Sequence, residues 1–465
     1  MKKTGFIAAV ATAVAVLAVA PAIAADVKCA WSSPTSDTQI ARKHRDVMLK
    51  GGVVNEVDPA GPIPAYYVWS FGDTTPDVRT DIVQTYGSWY NPATGNWEER
   101  VTTNFRPLTV VHRYTSTGTP TATLKVYDSA GALLGEDSIT VTVSNNIDEL
   151  EASVDNALWY LHTQIVPVGA DLAGWRDRNY DEGLVMIANA FQKEGFLASS
   201  TNAADPYIDD VRRLVNGVLG NLYNVTEGVY YCQNDETTYG FGPALEALAR
   251  SGYPATFATA QGPLGDVIQG MVNWIAWFQL GTSGFDWDGC TIVANPAKAP
   301  CPSKVDGGPS TAGGWPYLTE GWGCDGSTIN KNTKGVYGDR SVSYWMVTGL
   351  DAAEASGASV PATVRQNLAM FLNANNPCAA DNFGPMHGWN LIERAGQGLS
   401  LYKWLSKDAA YANLALNTDP KIQQCATSIA SWFPLHNFQH GQDHPDAAEL
   451  CSANSLDGAA ECYSH

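Results

Sequence analysis

The sequence predicts a multidomain chain: an N-terminal all-β sandwich followed by a C-terminal all-α α/α-toroid of helical hairpins. Three observations predict it. Before about Asn146, apolar and polar residues alternate with the period of half-buried strands. Beyond it, apolar residues recur three and four apart, the period of helices. Five strongly apolar helical segments then follow one another, mostly at roughly 60-residue spacing, the mark of a repeat architecture.

The first element, residues 1–25, is an export signal. Lys2 and Lys3 precede an apolar run that closes on Ala22-Ile23-Ala24, with Ala25 next. Its apolar core is short and ends at a cleavage site, so no retained span is expected, and no later stretch is apolar enough for one. The mature chain is expected to be secreted, on the cell surface or in the periplasm of a bacterium, and not integral to a membrane. Loss of Lys2 and Lys3 takes the formal charge from −19 to −21. Such a surface repels nucleic acid and anionic lipid. All nine cysteines lie in the exported part, where disulfides form, and the odd count leaves at least one thiol over. No C-x-x-C pair occurs, which removes zinc ribbons, c-type haem and thioredoxin-like redox chemistry.

Residues 26–146 form the β module. In TATLKVYDSAG (Thr121–Gly131), Ala122, Leu124 and Val126 alternate with polar neighbours, and Ile139, Val141 and Val143 do so in SITVTV. Asp128-Ser129-Ala130-Gly131 between them is turn chemistry. Short strands joined by turns point to a sandwich. YVWSFGDTTPD (Tyr67–Asp77), VVHRYTSTGTPTATLKVYDSAG (Val110–Gly131) and SITVTV together resemble a PKD domain, with Trp69, Phe71, Gly72, Asp73, His112 and Tyr114 at its hallmark positions. Thr74 stands where that family usually has Gly, and the segment from about Asp77 to Phe105 is longer than usual. The resemblance implies extracellular placement and a spacer or adhesive role. His112 is read as a structural histidine at a strand edge.

Residues 147–433 form the helical module. Its apolar segments are Asp148–Gln164, Asp209–Asn224, Leu264–Gln279, Val360–Asn375 and Asp419–Phe433. Between them lie second helices rich in small residues: Gly183–Gly195, Phe241–Gly252, Ser341–Gly357 and Gly398–Lys407. Three of these end in glycine, which suits a helix C-terminus. About five hairpins are counted. GGWPY (Gly313–Tyr317) and GDRSVSYWMVTGLDAAEASG (Gly338–Gly357) resemble the terpenoid cyclase/protein prenyltransferase superfamily, the squalene cyclase/prenyltransferase repeat. The resemblance implies the toroid fold and says little of activity, since one toroid carries unrelated functions. Its known sites are not reproduced. Asp339 matches a zinc-binding Asp of the prenyltransferases, but Ser341 replaces the thiolate. Asp286 and Asp288 fall short of the cyclases' D-x-D-D proton donor because Gly289 replaces its last acid.

The turn before each second helix repeats a theme of aromatics beside acids and amides. Candidate catalytic residues are Asp177, Asp181, Asp286, Asp288, Asp339, His387 and Glu393. Candidate ligand-binding residues are Trp175, Arg176, Tyr180, Tyr230, Tyr239, Trp287, Trp315, Tyr344, Trp345, Trp389, Asn390 and Arg394. If the hairpins are related by rotation, these sets converge on one rim of a central cavity. Aromatics with carboxylates and a few arginines suit a sugar or a peptide. Each residue also has a plainer use, with rings filling space between helix ends and Asp capping them. Cys290, Cys301 and Cys324 are read as disulfide staples of the long loop, and Cys451 with Cys462 as closing a tail loop.

Residues 434–465 are an acidic tail. His436, His440 and His444 recur every four residues, a spacing that would hold a divalent metal on a helix, but Gly441 and Pro445 interrupt one. No other cofactor is expected. The preferred function is extracellular ligand binding or adhesion through the toroid cavity, with a glycan or cell-surface component as partner. The rival is a secreted polysaccharide lyase or glycoside hydrolase, and a cyclase or prenyltransferase comes third. The oligomeric state stays open.

Overall fold

The computed structural model describes residues 26–30, 38–53, 64–82, 84–91, 96–103, 108–147, 149–168, 172–176, 181–225, 228–231, 237–279, 286–287, 290–291, 313–316, 338–374, 391–414, 420 and 422–423. They divide between two compact units: residues 1–32, 36–86 and 101–153, and residues 33–35, 87–100 and 154–465.

The first unit holds strands β1 (Val27–Cys29), β2 (Thr38–Arg42), β3 (Asp46–Leu49), β4 (Gly51–Val53), β5 (Tyr66–Ser70) and β6 (Val78–Asp81). Strands β7 (Gln84–Asn91) and β8 (Asn96–Thr103) follow, then β9 (Val110–Arg113), β10 (Thr121–Tyr127) and β11 (Leu133–Ser144). A five-stranded sheet runs β2-β11-β10-β5-β6, with β2 parallel to β11 and the other pairs antiparallel. The alternation read from the sequence falls on its buried face: Ala122, Leu124, Val126, Ile139, Val141 and Val143 are all buried. Trp69 lies fully buried among them and donates its indole N–H to the Leu108 carbonyl at 2.8 Å. Asp128 closes the β10–β11 turn by accepting the Ala130 and Ala132 amides. Gly72 is obligatory: its φ is +69°, and a Cβ there would lie 2.2 Å from the Thr121 carbonyl oxygen. His112 is structural. Its ring stacks on Phe71 at 3.8 Å, meets Tyr114 edge-on, and its Nε2 lies 2.9 Å from an Asp73 oxygen.

The second unit repeats one motif, helix, β-hairpin, helix. Helix α1 (Glu149–Gln164), which begins just before this unit, leads through β12 (Ile165–Val168) and β13 (Leu172–Arg176) to α2 (Asp181–Lys193). Helix α3 (Ile208–Gly220) leads through β14 (Leu222–Val225) and β15 (Gly228–Tyr231) to α4 (Thr237–Ala249). The short pair β16 (Ala258–Thr259) and β17 (Gly262–Pro263) precedes α5 (Leu264–Phe278). Two-residue strands β18 (Asp286–Trp287), β19 (Cys290–Thr291), β20 (Trp315–Pro316) and β21 (Gly338–Asp339) then lead to α6 (Arg340–Ala355). Helices α7 (Ala362–Ala374) and α8 (Leu391–Leu405) and a 3-10 turn, Ala409–Leu414, follow.

These strands correct the expected fold class: the second unit is a mixed helix-and-strand assembly, not an all-α toroid. Residues 87–100 also belong to it, and Tyr90 and Trp89 of β7 pair with Trp175 and Arg176 of β13. The turns read as loops are hairpins whose strands have four or five residues, too short for a period of two to declare itself.

Helix α5 is the apolar centre. Val267, Ile268, Met271, Val272, Trp274, Ile275 and Phe278 are buried, and Trp274 stacks between Phe241 at 4.2 Å and Phe278 at 4.6 Å. A second, polar centre joins α1 to α3. His162 Nδ1 bonds Asp210, Arg213 lies 3.8 Å from the same carboxylate, and all three side chains are buried.

The expected disulfides are corrected too: among the described residues there is no disulfide, and Cys29 is a buried free thiol. Burial, with the Asp137 carboxylate beside it, pushes that thiol well above its ordinary value. Cys290 lies in β19, while Cys301, Cys324, Cys451 and Cys462 fall outside the described residues. No described helix is long and apolar enough to cross a membrane.

Candidate functional site

The second helices of the repeats form a row. α2 packs on α4, α4 on α6 and α6 on α8. Between α2 and α4, Asn189 donates to the Pro243 carbonyl at 3.0 Å, and farther along Lys193 meets Glu246 at 3.1 Å. Between α4 and α6, the Tyr239 and Ser341 hydroxyls lie 2.7 Å apart, and one turn on Gly242 meets the Trp345 backbone. Both pairs are therefore parallel. At the far end, Trp404 of α8 donates its indole N–H to Glu354 of α6 at 2.9 Å, so their C-termini meet. The N-termini of α2, α4, α6 and α8 consequently share one end of the row. Each carries the partial positive charge of its unpaired amides, which favours carboxylates there.

That end is where the sequence places its candidates. Asp181 opens α2, Asp339 ends β21 directly before α6, and Glu393 and Arg394 lie in the first turn of α8. Trp175 and Arg176 end β13, before α2. Asp286 and Trp287 form β18, with Asp286 opposite Thr291. For these residues the backbone defines the position.

Four aromatic candidates with defined side chains sort by depth. Tyr344 and Trp345 are half-buried on α6 with ring centroids 4.8 Å apart, one turn below Ser341. Tyr239, also half-buried, holds the N-terminal turns of α4 and α6 together through its hydroxyl. Tyr230 is buried against Trp274 at 5.2 Å. Trp315 is fully buried: its indole donates to the Ile275 carbonyl at 2.9 Å and its amide to Ser343 Oγ at 3.1 Å. Tyr230 and Trp315 therefore support the rim from within the helix packing. Asp177, Tyr180, Asp288, His387, Trp389, Asn390, His436, His440 and His444 lie outside the described residues. Among the described residues no cluster of His, Cys, Asp and Glu is arranged to hold a metal.

The structure adds a carboxylate that the sequence reading passed over. Glu246 of α4 is 2 % exposed, held by Lys193 at 3.1 Å and by Arg250 at 2.9 Å. Burial, and after it the Glu246 charge, raises the Tyr344 phenol above its ordinary range, so Tyr344 stays a neutral hydroxyl. The signal was an acid inside the apolar run Ala244-Leu245-Glu246-Ala247-Leu248. Such a position is occupied by an ion only when partner charges are at hand, here Lys193 of α2 and Arg250 four residues on.

No protein-family model matches the chain, and no curated protein does. Among solved structures, the chain is similar to a family 76 glycoside hydrolase from a bovine Bacteroides thetaiotaomicron strain, at 10% identity and a TM-score of 0.37, covering 84% of this chain and 76% of that one. It is also similar to a beta-1,2-glucanase from Parabacteroides distasonis at 11% identity and a TM-score of 0.20. That match covers 86% of this chain and 42% of the glucanase, so this chain spans under half of its length. At these values neither likeness bears on chemistry. No family model for a PKD domain, a terpenoid cyclase or a prenyltransferase matches, so both resemblances read from the sequence are corrected.

Proposed function

We propose that this chain is an exported glycan-active protein that hydrolyses a glycosidic bond at the shared N-terminal end of α2, α4, α6 and α8. The observation that carries the reading is the parallel row itself. It brings Asp181, Asp339 and Glu393, from three separate repeats, to one end beside the half-buried Tyr344–Trp345 pair. Aromatic faces suit the apolar faces of sugar rings, and hydroxyls such as those of Tyr239 and Ser341 suit their hydroxyls. Glycosidic hydrolysis needs two carboxyl groups: one protonates the leaving oxygen, while the other activates water or attacks the sugar carbon. The helix N-termini favour ionised carboxylates, which suits the second role. The first role needs a carboxyl whose surroundings keep it protonated.

The test is Asp181→Asn, Asp339→Asn and Glu393→Gln, assayed for reducing-end release from laminarin, cellulose and mannan. Two of the three should lose activity by at least about a hundredfold. Retention of wild-type rates in all three would remove the hydrolytic site from this end. A second reading, binding without cleavage, draws on the Tyr344–Trp345 pair, which offers a platform and no carboxylate. It predicts saturable binding to the same glycans with no product. Export to the periplasm, the cell surface or beyond fits both readings.

A further inference from the structure

We propose that strand β6 is a docking edge for a second copy of this chain, which lays its own β6 antiparallel alongside, centred on Thr80, and continues the five-stranded sheet across the pair.

β6 ends the order β2-β11-β10-β5-β6, and among the described strands it pairs with β5 alone. An edge strand presents backbone amides and carbonyls to whatever lies beside it. One hydrogen bond tells which residues present them here. The Ile82 amide donates to the Ala65 carbonyl at 2.8 Å, in a pairing that sets Thr80 opposite Tyr67. Backbone groups of successive residues alternate sides along a strand. Val78, Thr80 and Ile82 therefore turn theirs toward β5, and Arg79 and Asp81 turn theirs outward.

The side chains are self-complementary about the same centre. Val78-Arg79-Thr80-Asp81-Ile82 reads apolar, basic, hydroxyl, acidic, apolar. An antiparallel copy centred on Thr80 sets Arg79 opposite the second copy's Asp81, and Asp81 opposite its Arg79. These are the residues whose backbone groups face outward, so each opposite pair exchanges both N–H···O bonds. Their side chains are 60% and 76% exposed and already pair within the strand at 3.0 Å, and the Arg79 guanidinium rests 3.7 Å over the Tyr66 ring. The charges thus stand ready at the edge, on the outer face of the sheet. On the opposite face Val78, which shares the side of buried Trp69, is 38% exposed. The second copy's Ile82 falls opposite it and covers it. Sliding the copy by two residues sets Arg79 against Arg79 or Asp81 against Asp81, which repulsion disfavours. Backbone phase, charge and apolar pairing agree on one register and on one occupant.

The test is sedimentation equilibrium of the purified protein at about 0.15 M salt, where its net negative charge is screened beyond about 8 Å. A four-residue edge is small beside the roughly 1,200–2,000 Å² of a stable interface, so the dimer should form between about 10 μM and 1 mM. Arg79→Asp and Asp81→Arg, each alone, should weaken self-association by about tenfold or more. Mixed in equal amounts, the two variants should associate at least as tightly as wild type, because each supplies the charge the other lacks. Arg79→Pro removes an outward amide, leaves the pairing with β5 intact and should abolish the dimer. A wild-type monomer up to about 1 mM would overturn the proposal, leaving the charges only to blunt the edge. Association unchanged in both single variants, or no gain on mixing them, would overturn it as well.

Discussion

Replacing Gly242 by alanine should force α4 away from α6. An alanine Cβ there would sit 1.9 Å from the Trp345 carbonyl oxygen, 2.3 Å from its carbon and 2.8 Å from the Met346 nitrogen. All three atoms are helix backbone and cannot rotate aside. Gly349 faces the same seam from α6, where its own Cβ would lie 2.4 Å from the Gly242 oxygen. Restoring a contact of about 3.5 Å parts the helices by roughly 1.5 Å. Overpacking of this kind costs about 1–3 kcal/mol. The same displacement breaks the 2.7 Å Tyr239–Ser341 hydrogen bond, for about 1 kcal/mol more. The better helix propensity of alanine offsets about 1 kcal/mol. The net loss of about 2 kcal/mol should lower the Tm of the second unit by about 3 °C. Scanning calorimetry of the purified protein measures it. Gly217→Ala in α3 is the control: nothing lies within 4 Å of its Cβ, so it should match or exceed the wild-type Tm. A Gly242→Ala variant as stable as wild type would refute the backbone contact between α4 and α6, and with it the shared end.

Asp205 supplies a pH test. Burial, aided by Asp209 and Asp210 and opposed by the Tyr207 amide and Arg212, pushes its carboxyl up to about 6. From the unfolded value of about 3.9 up to that point the folded state holds the extra proton, so stability falls as pH rises through this window, by at most about 3 kcal/mol. Asp205→Asn keeps an acceptor for the Tyr207 amide at 2.9 Å, so its Tm advantage over wild type should grow between about pH 4 and 6 and then level off. An advantage independent of pH would contradict the raised value. A double-mutant cycle of Tyr239→Phe with Ser341→Ala, followed by thermal unfolding, should return a coupling of about 0.5–1.5 kcal/mol. Additive effects would place the two hydroxyls apart.

Much of the first unit was legible because one face of each strand is buried. Ala122, Leu124, Val126, Ile139, Val141 and Val143 had to alternate to keep that face apolar, and the period of two exposed them. The same logic misled the family reading. Trp69, Phe71 and Tyr114 are buried packing positions, which any small sheet needs, so their spacing did not establish a PKD domain. In the second unit the parallel helices were visible through their apolar period, and their N-terminal turns through Asp and aromatic residues. The hairpins were not, because Leu222–Val225 and Gly228–Tyr231 are each four residues long. Glu246 and the His162–Asp210 pair were hidden for another reason. Each charge sits in an apolar helix and is paired by a residue on a different helix, Lys193 for Glu246 and Asp210 for His162. Arg250, four residues after Glu246, was a local clue, but the partners on other helices left no trace in the local sequence. The pairing of β7 with β13 is likewise non-local, joining Trp89 to Arg176 across the chain.

The most direct measurement is product analysis of the purified protein on laminarin, cellulose and mannan, with binding to the same glycans followed in parallel. The account predicts new reducing ends without unsaturated ends, and their loss in carboxylate-to-amide variants at the helix N-termini. Saturable binding with no product, or products bearing unsaturated ends, would contradict hydrolysis.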